Sequence, residues 1–291
     1  MATSATVAKP VAGLIRKGYE VLICHGNGPQ VGIIKTSMDI GNRETGQPVM
    51  PMSDCVAASQ AFIGYHLQNA LQNALTQSGI DKCVATLITR VVVDRQDKGF
   101  QNPTKPVGAF VTREEAEIME KSGITMVEDA GRGYREVVPS PMPQRIVEKD
   151  AVRQLLDMGQ VVIAGGGGGI PVTYEQGQYH AIDAVIDKDW VSIMLAGDTG
   201  CDELVMLTGV EKVAIAFNQP GQRWLDSITV SQARQYIKDG EFPAGSMLPK
   251  VEAAIRFASS APGKRALITS LNKLEEGLEG ETGTWIVRDD E

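Results

Sequence analysis

Tyr19-Glu20-Val21-Leu22-Ile23-Cys24 runs directly into His25-Gly26-Asn27-Gly28-Pro29-Gln30-Val31-Gly32. The first stretch has the length and apolar character of a buried strand, the glycines let the chain turn sharply, and Pro29 stands where a helix begins. Strand, tight turn and helix in direct succession form the unit of an α/β fold wound on a parallel sheet. The rest of the chain repeats that texture. Further strands are expected near Cys83–Arg90, Val161–Ala164, Glu203–Thr208, Lys212–Phe217, Ala266–Thr269 and Thr284–Val287. Helices are expected near Val11–Lys17, Pro29–Met38, Cys55–Ser78, Arg113–Lys121, Lys149–Asp157, Asp189–Leu195, Ser231–Asp239 and Pro249–Ser259. The fold class is therefore α/β, an open αβα sandwich on a mainly parallel central sheet, forming one domain over residues 1–291. Between Asp94 and Pro143 charges, prolines and glycines interrupt the alternation, and a small protruding subdomain over the sheet edge is expected at about residues 94–143. The chain opens on a polar stub and a helix, whereas a doubly wound domain is expected to open on a strand.

With 291 residues, 43% of them hydrophobic, the chain can bury a sizeable core, which excludes disordered, collagen-like and coiled-coil classes. Lys and Arg number 28 against 36 Asp and Glu, a net charge of −8. That balance gives no electrostatic footprint for nucleic acid and is repelled by anionic lipid. Any anionic substrate must be gathered by local devices. No apolar run approaches the about 20 residues that span a bilayer, and the N-terminus carries no apolar leader region. Cys24, Cys55, Cys83 and Cys201 show neither a CxxC pair nor metal-ligand spacing with a histidine, and read as reduced thiols. The cytoplasm is the expected location, and no residue is assigned as a metal ligand.

Two glycine loops follow strands. In the first, Gly26, Asn27 and Gly28 lead into a helix, so free N–H groups and the positive end of the helix dipole face any anion placed there. A tight βα turn that needs glycine for geometry alone is the other reading. The second, Gly165-Gly166-Gly167-Gly168-Gly169-Ile170-Pro171, carries a heavy entropic penalty for a spacer, and points to a nucleotide phosphate lying against the backbone. Neither loop satisfies GxGxxG, and no GxxxxGK[ST] motif occurs.

Ile186-Asp187-Lys188-Asp189 precedes an apolar helical segment. Asp187 is a natural N-cap, and Asp189 would lie in the first turn, close enough to hold the Lys188 ammonium. A capped helix with a surface lysine is the bland reading; the sharper one is phosphoryl transfer, in which a protein mainly positions reactants and neutralises oxyanion charge. Lys105, between Pro103 and Pro106, and Lys250, after Pro249, sit on restrained backbone and complete a cationic set, although each alone reads as a solvated surface lysine. Met247 either packs or touches an adenine ring. His25 borders the first glycine loop, while His66 and His180 lie elsewhere, and no Ser/His/Asp or Cys/His arrangement is legible.

Taken in order, HGNGPQVG at 25–32, Ser59-Gln60 and Ile63-Gly64-Tyr65, NPTKPVGAF at 102–110, EDAGRGYR at 128–135, VVPSPMP at 137–143, GGGGIPV at 166–172, AVIDKDW at 184–190, LTGVEKV at 207–213 and GSMLPKVEAA at 245–254 resemble the carbamate kinase family of the amino acid kinase superfamily. The resemblance covers nearly the whole chain. It implies a homodimeric, cytoplasmic phosphotransferase of arginine metabolism that moves a phosphoryl group reversibly between carbamoyl phosphate and ADP, giving ATP with Mg²⁺. The N-terminal half would bind carbamoyl phosphate through Gly26, Asn27 and Gly28. The C-terminal half, from about residue 160, would bind the nucleotide through Gly166, Gly167, Gly168, Thr208, Gly209, Val210 and Met247. Lys188 and Lys250 would straddle the transferring group, Asp189 would orient them, and Lys105 would reach in from the protruding subdomain. The resemblance also implies a first strand with a Gly-Gly-Asn turn, about 20 residues in all, that precedes Met1. Two other readings stand: without that strand, a catalytically impaired homologue that binds the anion or the nucleotide, and, because the chain alone does not fix the acceptor, a superfamily kinase for another small acid.

Overall fold

The computed structural model describes residues 2–289 except Ser122, Ala130, Ala244 and Gly245. Of the motif residues quoted above, Ala130 and Gly245 lie outside the described residues. The chain opens on α1, Ala2–Arg16. The sequence predicts this helix only from Val11, because Pro10 lacks a backbone donor and its ring crowds the preceding turn, at a cost of about 3 kcal/mol. The helix runs through Pro10 because Ala8, Val11, Ala12 and Ile15 form one buried stripe that spans it.

The chain divides into two compact units, one of Leu22–Asn69 with Cys83–Ser192, the other of the chain up to Val21, Ala70–Lys82 and everything from Ile193. In the first unit a parallel sheet is built from β1 (Leu22–Ile23), β2 (Val84–Thr86) and β8 (Val161–Ile163), with β8 in the middle and Leu22 opposite Val162. All three residues of β8 are buried, as a β-branched run covered on both faces should be. A second sheet has the order β10 (Gln178–Ala181), β9 (Ile170–Glu175), β3 (Arg90–Val93), β7 (Pro143–Ile146); only the β3–β9 pair is parallel.

The sequence predicts one strand over Cys83–Arg90, and the structure breaks it into β2 and β3, which belong to different sheets. The break has a cause. The Gln60 side chain accepts from Thr89 N at 2.9 Å, which takes that N–H out of the ladder that Leu87 N–H still makes with Ile163 O, while Thr89 O accepts both from Gln60 at 3.1 Å and from Ile170 N–H at 2.8 Å, where β9 begins.

Helices α2 (Gly28–Thr45) and α3 (Met52–Gln77) follow β1. Met52 N–H, in the first turn of α3, donates to Asp183 Oδ1 at 3.0 Å. Residues 94–143 hold an antiparallel sheet, β4 (Lys105–Val111), β6 (Tyr134–Val138) and β5 (Met126–Glu128), with α4 (Arg113–Lys121). Val107 and Val138 of this sheet join Val31, Met52, Cys55, Val56 and Val185 in one buried apolar cluster, which seats β4 beside α2. α5 (Lys149–Asp157) leads into β8, and α6 (Lys188–Thr199) starts where the sequence places an N-cap.

In the second unit the sheet order is β11 (Glu203–Thr208), β15 (Arg265–Ser270), β16 (Thr284–Val287), β14 (Ser227–Thr229), with β11 parallel to β15. β12 (Val213–Ile215) pairs with β13 (Arg223–Leu225). α7 (Val230–Lys238) begins in a capping box formed by Thr229 and Gln232, α8 (Met247–Ala258) packs on β15, and α9 (Leu274–Leu278) packs on α1.

Candidate active site

The first glycine loop is held from beneath. Ala164 N–H donates to Ile23 O at 3.0 Å, the Cys24 thiol donates to Ala164 O at 3.0 Å, and Gly167 N–H donates to His25 O at 2.7 Å. Burial pushes the Cys24 thiol up to about 11, so it packs as a neutral group. Burial also pulls His25 below the ordinary imidazole value, against the opposing bond that its Nδ1 donates to Gly26 O at 3.0 Å. The ring is neutral at pH 7 and shapes the loop without adding charge.

The pentaglycine follows from close approach to this loop. A Cβ on Gly166 would lie 2.3 Å from His25 Nε2, and one on Gly167, whose φ is +65°, would lie 2.1 Å from Asn27 Nδ2. Gly166, Gly167 and Gly168 are buried, and the N–H groups of Gly167 and Gly168 are bonded to His25 O and Gly165 O.

At the start of α2, Pro29 occupies the first turn and Asn27 stands at the N-cap without a side-chain cap bond. Gly26 and Gly28 are exposed while Asn27 is buried. Open donors and the helix dipole therefore meet at a solvent-accessible point. Lys188 lies alongside: a Cβ on Gly26 would be 3.4 Å from Lys188 Cδ.

Lys188 Nζ stands 3.6 Å from Asp189 Oδ1, with its side chain 42% exposed. A pair so loose and so wet contributes about 0–1 kcal/mol, so a phosphate oxygen can compete for the ammonium. Lys105 is the first residue of β4, and its Nζ donates to Asp187 Oδ2 at 2.5 Å. The other oxygen of Asp187 accepts from Asp189 N–H at 2.8 Å, which caps α6 as expected. Burial raises the Asp187 carboxyl, but the Lys105 charge and hydrogen bond, the Asp189 N–H and the Lys188 charge together hold it below the usual carboxylate range.

Gly26, Asn27, Gly28, Lys105, Gly166 to Gly168, Lys188 and Asp189 are thus gathered in the first unit. Thr208, Gly209, Val210, Met247 and Lys250 belong to the second, Thr208 at the end of β11 and Met247 and Lys250 in the first turn of α8. The sequence reading missed Asp187 as the partner of Lys105 and took it only as a cap; the signal was its place one residue before Lys188. Among the described residues no group of three or more His, Cys, Asp or Glu side chains is placed to hold a metal ion. The two carboxylates at the site are each paired with an ammonium, so a divalent cation there would rest mainly on phosphate oxygens and water.

The sequence profile of the amino acid kinase family matches residues 3–270. The chain belongs to that family, among the carbamate kinases. It is 53% identical over 280 residues to the carbamate kinase-like protein YqeA of Escherichia coli, covering 96% of this chain and 90% of that protein. The carbamate kinase of Staphylococcus haemolyticus is 51% identical over 280 residues, with 96% and 91% covered. Carbamate kinase from Giardia lamblia bound to citric acid superposes with a TM-score of 0.90 at 41% identity, covering 98% of this chain and 90% of that one. The form of the same protein bound to AMP-PNP gives 0.89. The mixed α/β fold with parallel sheets is the amino acid kinase fold, and the chain is an ATP- or ADP-dependent kinase.

Proposed function

We propose that the chain transfers a phosphoryl group reversibly between carbamoyl phosphate and ADP, yielding ATP and carbamate, which falls apart to ammonia and CO₂. The observation that carries this reading is the convergence of Lys188, Lys105 with Asp187, and the uncapped start of α2 on one exposed point in a protein of net charge −8.

Carbamoyl phosphate would lie at Gly26, Asn27 and Gly28, its phosphate oxygens on the open N–H groups of α2. Lys188 would shift from Asp189 to the transferring group, where negative charge spreads over the equatorial oxygens. Lys105, restrained by Asp187, would hold the oxygen that bridges carbon and phosphorus and neutralise the carbamate as it leaves. Lys250 would serve as a further catalytic ammonium, and Thr208, Gly209, Val210 and Met247 would hold the nucleotide, in the C-terminal half from about residue 160. Gly166, Gly167 and Gly168, kept as nucleotide-binding residues, also form the floor under His25 and Asn27. ADP would arrive as its Mg²⁺ complex, and the cation would supply neutralisation of phosphate charge.

The reading extends to a cytoplasmic enzyme of arginine metabolism, which the family resemblance supports. Among the described residues no helix is long and apolar enough to cross a membrane. Exposed Phe62 and Tyr65 on α3, with Ile33 and Ile40 on α2, supply apolar surface for a homodimer. The test runs the reaction backward: MgATP with carbamate, acetate, aspartate or glutamate, reading ADP release. Turnover with carbamate alone is expected; turnover with another acid and none with carbamate would overturn the substrate assignment.

A further inference from the structure

Asparagine at an N-cap ordinarily turns its side-chain oxygen back onto the N–H groups of its own helix. Asn27 does not. Its Nδ2 donates instead to Ser59 Oγ at 2.8 Å, in a contact where Asn27 is 5% exposed and Ser59 0%. A hydroxyl has one proton, and Ser59 commits it to Val56 O at 2.7 Å, so toward Asn27 it acts only as an acceptor. That settles which end of the Asn27 amide faces α3. The amide is confined on another side by Gly167, which has no room for a Cβ beside Nδ2. The neighbouring Gln60, 1% exposed, donates to Gly166 O at 3.0 Å and so fixes the wall against which Asn27 rests.

We propose that Ser59 is a positioning residue: by holding the Asn27 side chain on α3, it keeps Asn27 from capping α2 and leaves the first-turn N–H groups of α2 open to the phosphate of the substrate. The inference rests on the functional reading above and deepens it. Ser59 touches no reacting atom and acts through Asn27. Without its acceptor, the Asn27 amide is free to rotate and place its oxygen on the donors that the anion needs.

The test is steady-state kinetics with carbamoyl phosphate and MgADP on the unaltered chain, Ser59→Ala, Asn27→Ala and the double variant. Ser59→Ala should raise KM for carbamoyl phosphate about tenfold, as loss of one charge-assisted bond does, and leave KM for ADP within about twofold. The double variant should match Asn27→Ala, because Ser59 has no route except Asn27. An unchanged KM for carbamoyl phosphate, an equal rise in both KM values, or additive effects would overturn the proposal. If the unaltered chain makes no ATP, the functional reading fails, and calorimetry with inorganic phosphate then decides about Ser59: tenfold weaker binding by Ser59→Ala supports it, equal binding overturns it. Should Ser59→Ala not fold, the Asn27 side-chain amide of the unaltered protein, followed by ¹⁵N NMR, is expected to exchange slowly with solvent; exchange at the rate of an exposed asparagine overturns it.

Discussion

Lys105 Nζ donates to Asp187 Oδ2 at 2.5 Å while Asp187 Oδ1 accepts from Asp189 N–H at 2.8 Å, so one carboxylate ties β4 of the antiparallel sheet to the first turn of α6. Asp187→Asn retains an oxygen for the helix cap and removes the charge that restrains Lys105. kcat for ATP formation should fall about 10- to 100-fold, the equivalent of one charge-assisted hydrogen bond. Circular dichroism should be unchanged. An unaltered kcat would show that Lys105 needs no restraint.

The same carboxylate sets a pH dependence. Its folded value lies below that of the unfolded chain, about 3.9, so its contribution is present above that value and is lost as pH falls through the folded one. Urea midpoints of the unaltered chain and Asp187→Asn should differ most near neutral pH and converge once pH has fallen through the folded value. A difference that grows in acid would contradict this sign.

Lys188 is partly exposed and only loosely paired with Asp189, so it matters little to folding. Lys188→Ala should leave the unfolding free energy within about 0.5 kcal/mol. It should lower kcat at least about 100-fold, since the charge it supplies is needed where charge develops in the transition state. A loss of stability without a loss of rate would reverse the assignment.

Gly167 and Gly28 make a contrasting pair. Gly167 has φ +65° and no room for a Cβ, whereas a Cβ on Gly28 meets nothing within 4 Å. Gly167→Ala should cost about 2–4 kcal/mol, from the left-handed backbone and overpacking together. Gly28→Ala should change stability by less than about 0.5 kcal/mol. Chemical denaturation distinguishes them, and equal effects would mean that Asn27 does not press on the second glycine loop.

Thiol chemistry gives an independent check on burial. Cys24, pushed up to about 11, and Cys55, raised by burial, should stay unmodified by DTNB at about pH 8 in the folded protein, while the exposed Cys83 reacts. Rapid labelling of Cys24 would mean that the end of β1 is open to solvent.

Much of this was legible in residue order because it depends on local rules. α4, α5, β11 and β16 match their expected bounds, each with a clear periodicity or β-branched run. Elements fixed by distant partners were not. The break at Thr89 comes from Gln60, a residue far away in the chain. The antiparallel sheet within residues 94–143 is made of short strands interrupted by charge and glycine, and its pairing is visible only in three dimensions. At the site, Lys105, Lys188 and the glycines announced themselves by type and spacing. Asp187 and Ser59 did not, since a cap and a helix serine are common and their roles rest on single contacts.

The account depends above all on these groups moving a phosphoryl group. The most direct measurement mixes the purified chain with carbamoyl phosphate and MgADP and follows ³¹P NMR. The account predicts that the carbamoyl phosphate signal is replaced by the γ-phosphate of ATP, with free phosphate no faster than the uncatalysed background. Steady loss of carbamoyl phosphate to inorganic phosphate, or no ATP signal from a folded sample, would contradict it.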